Sequence, residues 1–409
     1  KYNEENFRHT STGLNFYGYF GNAVAFSFMF RDNSLITDEK NVSQRFSPKR
    51  AINLTMTSSN NYQFSDVKTS LSYGWSWGSI TAANDVIEMG YGKGGKIILS
   101  SYAPSYPFIR LDIKPTSWLS FDYFHAWLNS NIADTTRLYN TLNPPAKRIV
   151  YRDKYLASHS VTVTPFTGLD LTLGESIIYS DKFEPAYLFP LMFFRLADHQ
   201  LSNGSNDAGD NSQFFFVASS RNHIPDTHLY FNLLIDEVGL STFFIPEQQR
   251  HQFAFSIGGS NSGSLVDNLT LSAEFTKIYP WVYRHYIDTQ TYQNDGFGLG
   301  HWMGHNSDLL YFSAEYTIMR GVDVYGSYML ARKGGDGEVK QQYVTPSVPH
   351  LFGPRKFYSF ATLGASYEPI HDVVVRANLS LAETRFEQDF GVTLTNNRND
   401  FEFYVSYGF

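Results

Sequence analysis

Hydrophobic and polar positions alternate with a period of two over much of the chain. In Asp66–Trp77, Val67, Thr69, Leu71, Tyr73, Trp75 and Trp77 fall on one face. Lys68, Ser70, Ser72, Gly74 and Ser76 fall on the other. Successive side chains of an extended strand point to opposite faces, so one face is apolar and aromatic and the other small and polar. The design recurs in Asn22–Arg31, where Val24, Phe26, Phe28 and Phe30 oppose Ala25, Ser27, Met29 and Arg31. It returns in Asn268–Thr276, Val322–Ala331 and Asp372–Leu381. The last run sets Phe401, Phe403, Val405, Tyr407 and Phe409 against Glu402, Tyr404, Ser406 and Gly408.

Soluble sandwiches alternate as well. Three further features favour a membrane barrel. The segments run to about 9–12 residues, the length of a tilted membrane strand. Their apolar faces often begin or end in Tyr or Trp, as an interfacial girdle does. Short turns (Gly21–Asn22, Trp77–Ser79, Pro115–Ser117, Pro165–Gly168, Arg320–Val322, Glu368–Asp372) interleave with long polar stretches at 33–63, 90–107, 131–153, 181–210, 284–306, 333–355 and 384–399. Short turns on one side and long loops on the other is the outer-membrane layout. The expected fold is therefore all-β: one antiparallel, up-and-down transmembrane barrel spanning 1–409 as a single domain. Counting back from Phe409 gives about seventeen strands, and bacterial barrels have even numbers. A further strand is expected upstream of His9 or within 33–63, for about eighteen.

Composition narrows the partners. Charged residues are 17% of the 409, below the roughly 25% of soluble domains. Net charge is −7 with no long basic run, which argues against nucleic acid. The absence of cysteine excludes disulfides and thiolate sites. The longest apolar stretch, Ala186–Ala197, carries Pro190 and Arg195 and is too short to span a bilayer. It is expected either to fold into the barrel mouth, burying Leu188, Phe189, Met192 and Phe193, or to meet a partner protein. Lys1 opens on a polar segment without a signal peptide, so an upstream part of a precursor is expected.

The terminal strand ending in Phe409 resembles the signal read by the barrel-insertion machinery of Gram-negative outer membranes. Denser motifs are WSWGS (Trp75–Ser79), GYGKGGKIILSSYAPSYPFIRL (Gly90–Leu111), HAWLNS (His125–Ser130), GESIIYS (Gly174–Ser180), NDAGDNSQFFF (Asn206–Phe216), LIDEV (Leu234–Val238) and YPWVYRH…GLGHWMGHNSDLL (Tyr279–Leu310). Together they resemble the Wzi-type capsule-assembly family of outer-membrane barrels and its gliding-associated relatives. The resemblance implies a non-enzymatic, lectin-like anchor for surface polysaccharide, in contact with outer-membrane lipid and lipopolysaccharide. An accessory subunit of an export, gliding or barrel-assembly complex, in contact with other outer-membrane proteins, and a passive channel are the alternatives.

Candidate residues cluster in the long loops. Trp281, Tyr283, His285, His301, Trp302, His305, Asn306 and Asp308 are expected to form a lid over the lumen or a polysaccharide site. Tyr91, Tyr102 and Tyr106 are further aromatics able to stack on sugar rings. His301 and His305 have helical metal-ligand spacing, but Gly298, Gly300 and Gly304 disfavour a helix, so hydrogen bonding within the loop is expected. Asp207 and Asp210 are oxygen-rich calcium candidates without EF-hand spacing. Glu175, Asp236 and Glu237 stand near strand ends against Arg221, Arg250 and Arg332, as polar lumen residues do in any such barrel. With no GxSxG, phosphate loop or nucleotide fingerprint, no catalysis and no cofactor are expected.

Overall fold

The computed structural model describes residues 7–37, 51, 52, 54–58, 60–143, 145–202, 209–237, 245, 251–387 and 393–408. Seventeen strands follow one another as an antiparallel meander. They are β1 (Phe7–Phe20), β2 (Val24–Thr37), β3 (Asn61–Trp75), β4 (Gly78–Asp85), β5 (Tyr106–Thr116), β6 (Leu119–Ala133), β7 (Tyr151–Phe166), β8 (Leu169–Ser180) and β9 (Asn211–Arg221). The series continues with β10 (Thr227–Glu237), β11 (Gln252–Ser262), β12 (Leu269–Ile278), β13 (Ser307–Met319), β14 (Val322–Lys333), β15 (Lys356–Ile370), β16 (Val373–Glu387) and β17 (Thr393–Tyr407). The piece of 33–63 that joins the sheet is Thr55–Ser58, a four-residue strand paired to β3 alone. Among the described residues, β1 pairs only with β2 and β17 only with β16.

Register settles the two faces. Leu229, Gly259, Ala273, Phe312, Tyr328, Ala361 and Leu381 lie in one row across β10 to β16. Its large members are exposed, as a lipid face requires. The opposite face carries paired hydroxyls: Ser27 with Ser70 (2.6 Å), Ser72 with Thr81 (2.8 Å) and Thr162 with Thr172 (2.7 Å). A closed sheet in lipid satisfies its own backbone, and the interior is left free to be polar.

Two parts of the wall depart from that scheme. At the long-loop end the interior is apolar. Phe108, Leu156, Phe215 and Leu234 occupy lumenal positions and are buried against Ile97, Ile98 and Leu99 of the 86–105 loop. Val282, Tyr283, Tyr292 and Leu299 of the 279–306 loop complete that cluster. The extracellular loops thus fold inward and occlude the lumen in part. Glu274 anchors the first loop from β12, accepting from the Lys93 and Gly94 amides (2.8 and 3.2 Å) and from the Tyr230 hydroxyl (2.5 Å). Asn232 holds Tyr91 at both its amide and its carbonyl (2.9 Å each).

The second departure is on the outside. Tyr123, His125, Ala157, Glu175, Ile177 and Tyr179 have outward parity in β6, β7 and β8, yet all are buried. The 181–202 segment covers them. A 3-10 turn (Pro185–Leu188) and helix α1 (Phe194–Ser202) press Tyr187, Phe194 and Ala197 onto the wall. The apolar stretch therefore does not enter the barrel mouth. Leu188 and Phe189 face away from the protein, Phe193 lies against outward-facing Phe214, and Met192 packs on the outside of the wall.

Candidate functional site

The 279–306 loop leaves β12 and returns to β13 across the barrel mouth, and Tyr283, with φ of 73°, sits at its bend. The Tyr283 ring stacks on Tyr292 at 5.7 Å and its hydroxyl donates to the Ile97 carbonyl (2.5 Å), tying the two plug loops together. Its amide donates to Asp236 Oδ2 at the top of β10 (2.7 Å). Burial without a charged partner pushes the Tyr283 hydroxyl pKa up.

The GHWMGHNSD run is spent on fastening. His301 Nδ1 accepts the Met303 amide (3.2 Å), and burial lowers its pKa to about 3, so it is neutral. Its Nε2 faces Gly95, where an added Cβ would stand 2.5 Å away; only glycine permits this approach. Trp302 Nε1 donates to the Gly94 carbonyl (2.7 Å). The His305 carbonyl accepts from Lys333 Nζ, and burial with Lys333 and Arg284 nearby lowers the imidazole to about 2. Asn306 is fully buried, with φ of 51°; it accepts the Leu351 amide (2.7 Å) and donates to the Gly335 and Phe352 carbonyls (2.9 and 3.2 Å). Asp308 takes a two-pronged grip from Arg332 (2.8 and 2.7 Å) and a third contact from His350 (3.1 Å). These residues join three loops; they do not converge on one open site.

An open site lies beside them. A cavity of about 610 Å³ sits on the extracellular rim between α1, the tops of β9 to β11 and the 281–286 bend. Tyr286 and Tyr343 line it and are 50% and 41% exposed, so their rings are accessible. Trp281 also lines it but is only 2% exposed, packed on Phe352 at 5.2 Å, so it supports the wall and offers no free ring face. Arg284 lies over that indole (5.9 Å). The His285 ring lies 4.2 Å from Tyr286, tilted by 32°; burial lowers its pKa to about 4. Hydroxyl-rich rings are held by such a mixture: an aromatic face for the C–H side and flanking carboxylates, amides and guanidinium for the hydroxyls.

Of the sequence candidates, Trp281, His285, Asp210, Asp236 and Glu237 line this cavity. Tyr286 and Tyr343 lie outside every motif quoted above, and Arg284 stands within YPWVYRH without having been singled out; their only signal was an aromatic or a cation in a long loop. Asp207 lies outside the described residues. Asp210 is engaged by the Tyr187 hydroxyl (2.9 Å) and Gln290 Nε2 (2.8 Å), and burial raises its pKa to about 6. No cluster of three metal-ligating side chains occurs among the described residues. Asp236 is likewise filled, by Gln213 Nε2 and the Tyr283 amide. Glu175 faces outward, not into the lumen.

No protein-family model and no curated protein sequence matches the chain. Among solved structures, Wzi of Escherichia coli, described as an outer-membrane protein involved in group 1 capsule assembly and a carbohydrate-binding β-barrel, is similar with a TM-score of 0.54 at 13% identity. That match covers 98% of this chain and 82% of Wzi. OccK7 of Pseudomonas aeruginosa gives 0.51 at 8% identity, over 98% and 92% of the two chains. OpdK of the same organism, solved with vanillate, gives 0.50 at 9%, over 98% and 96%. At such identities the likeness establishes the fold, a Gram-negative outer-membrane β-barrel.

Proposed function

We propose that this barrel attaches surface polysaccharide at the outer membrane without altering it chemically. The observation that carries the reading is a division of the mouth. The lumen is partly occluded by apolar loops packed on its wall, while an accessible polar cavity bearing Tyr286 and Tyr343 opens on the extracellular rim. A barrel built for passive flow gains nothing from Ile97, Ile98 and Leu99 buried across its interior; a rigid platform for a surface ligand does. The carbohydrate binding stated for Wzi supports the same reading. Purified protein on an array of bacterial glycans should retain specific polysaccharides, and Tyr286→Ala with Tyr343→Ala should weaken retention at unchanged barrel yield. No retention of any glycan, or retention indifferent to both changes, would sink the proposal.

A channel is the second reading. Below the plug the interior is polar, with Arg110 bridging Asp112 and Asp122 and with the hydroxyl pairs described above. Solute flux through proteoliposomes containing the unmodified protein would favour it.

A further inference from the structure

The 181–202 segment is the most apolar exposed feature outside the strands. Its inner side is fixed to the wall. The Tyr123 hydroxyl donates to the Tyr187 carbonyl (2.9 Å), and Phe194 lies 4.5 Å from the His159 ring. Glu175 accepts the first two amides of α1, from Phe194 and Arg195 (2.9 and 2.6 Å), with His159 at 3.6 Å. A carboxylate at a helix start satisfies otherwise unpaired N–H groups and complements the helix dipole. Here it does so from an outward position of a membrane strand.

The outer side is a row of large apolar groups. Leu191 is 86% exposed, Phe189 66% and Leu196 63%. Of the segment's acids, Glu184 accepts the Ala186 amide and Asp198 the Asp210 amide, while Asp181, at its very start, is exposed and pairs with Arg152 (3.5 Å). The row is continuous with the lipid-facing wall, since Phe193 packs on outward-facing Phe214 at 5.8 Å. Leu173, one outward position nearer the periplasm than Glu175, is exposed. Glu175 itself stands seven residues above the Thr167–Gly168 turn. At about 3.3 Å per residue and a tilt near 40°, that is ~18 Å above the periplasmic rim, inside an apolar band about 25 Å tall. Without the flap, Glu175, His159 and His125 would face hydrocarbon.

We infer that the 183–201 flap is immersed in the outer leaflet, with Phe189, Leu191 and Leu196 in contact with lipid acyl chains while it screens the polar patch of the wall beneath. Arg195, at the start of α1, turns to the rim cavity, where its guanidinium donates to Ser212 Oγ (3.2 Å), which takes its charge off the apolar row. The occupant is lipid and not a second protein because the apolar row is continuous with a surface that lipid already covers.

The cysteine-free chain allows a direct test. Full-length protein with Leu191→Cys, Leu196→Cys or Phe189→Cys is spin-labelled and placed in vesicles of lipopolysaccharide and phosphatidylethanolamine. Collision rates with oxygen and with a neutral nickel chelate are compared with Leu173→Cys on the lipid wall and Leu142→Cys in an external loop. The expected oxygen-to-nickel ratio matches Leu173→Cys and exceeds Leu142→Cys several-fold at two of the three sites or more. A ratio equal to that of Leu142→Cys places the flap in water and overturns the inference. Exclusion of both reagents, which means cover by protein, also overturns it. Each exposed position perturbs little packing, and retained heat-modifiable migration verifies the fold.

Discussion

Removing the Glu274 carboxylate is the most direct way to ask what the plug does. Glu274→Ala takes away the acceptor for the Lys93 and Gly94 amides and for the Tyr230 hydroxyl. Each donor left buried without a partner costs about 1–3 kcal/mol, and bonds to a charged acceptor lie at the upper end. Three such losses amount to roughly 3–9 kcal/mol. Part is returned, because the buried carboxylate no longer has to be desolvated. A net loosening of about 2–4 kcal/mol in the docking of the 86–105 loop is expected, or roughly 30- to 1,000-fold in its opening equilibrium at 1.4 kcal/mol per decade. The strand ladders are untouched, so the barrel should still assemble. Planar-bilayer recording should show new openings absent from the parent protein, and protease should cut after Lys93 or Lys96 faster in the variant. Unchanged conductance together with unchanged cleavage would refute the claim that this anchor holds the 86–105 loop in the lumen.

Other outcomes follow from the same geometry. Arg at Leu71, Val324 or Leu379 should impair assembly by about 2–4 kcal/mol near the midplane, while Arg at Ser72, Ser327 or Ser380 is tolerated better; equal loss of heat-modifiable barrel in both sets would contradict the face assignment. His301, His305 and His285 have pKa values lowered by burial to about 3, 2 and 4, against about 6.5 when unfolded. Below pH 6.5 the unfolded loop takes up protons first, so their contribution is complete above that pH and is lost as pH falls toward 4 and below. Protection factors in 279–306, taken relative to the intrinsic exchange rate at each pH, should therefore fall on acidification, and His301→Gln should flatten the response. Trp302→Ala, which removes a half-buried indole and its bond to Gly94, should loosen the lid by about 2 kcal/mol, read as faster exchange in both plug loops.

Period-two alternation carried the architecture. Over the midspans of β2, β3 and β16 the lipid-facing side is mainly apolar (Val24, Phe26, Phe28 and Phe30; Val67, Leu71 and Tyr73; Val375, Leu379 and Leu381) and the lumenal side mainly small or polar, because two solvents meet at the same strand and the pleat sorts side chains between them. Turn and loop lengths added the sidedness. The order of the 284–306 loop was legible too, since Trp302 and two histidines have partners worth folding for. Elsewhere polarity and parity part company. Glu175 was expected in the lumen, yet it points outward, as does the polar His125; the apolar Leu234, Phe215 and Leu156 point inward. The flap over the first pair and the plug over the second change the local solvent without changing the strand. Their contacts reach across as much as the distance from Ile97 to Tyr283, and no local pattern encodes which loop will cover which wall. The rim cavity is of the same kind. Arg195, Asp236, Tyr286 and Tyr343 come from four separate segments, and only the strand order and the folding of the loops above it bring them to one place.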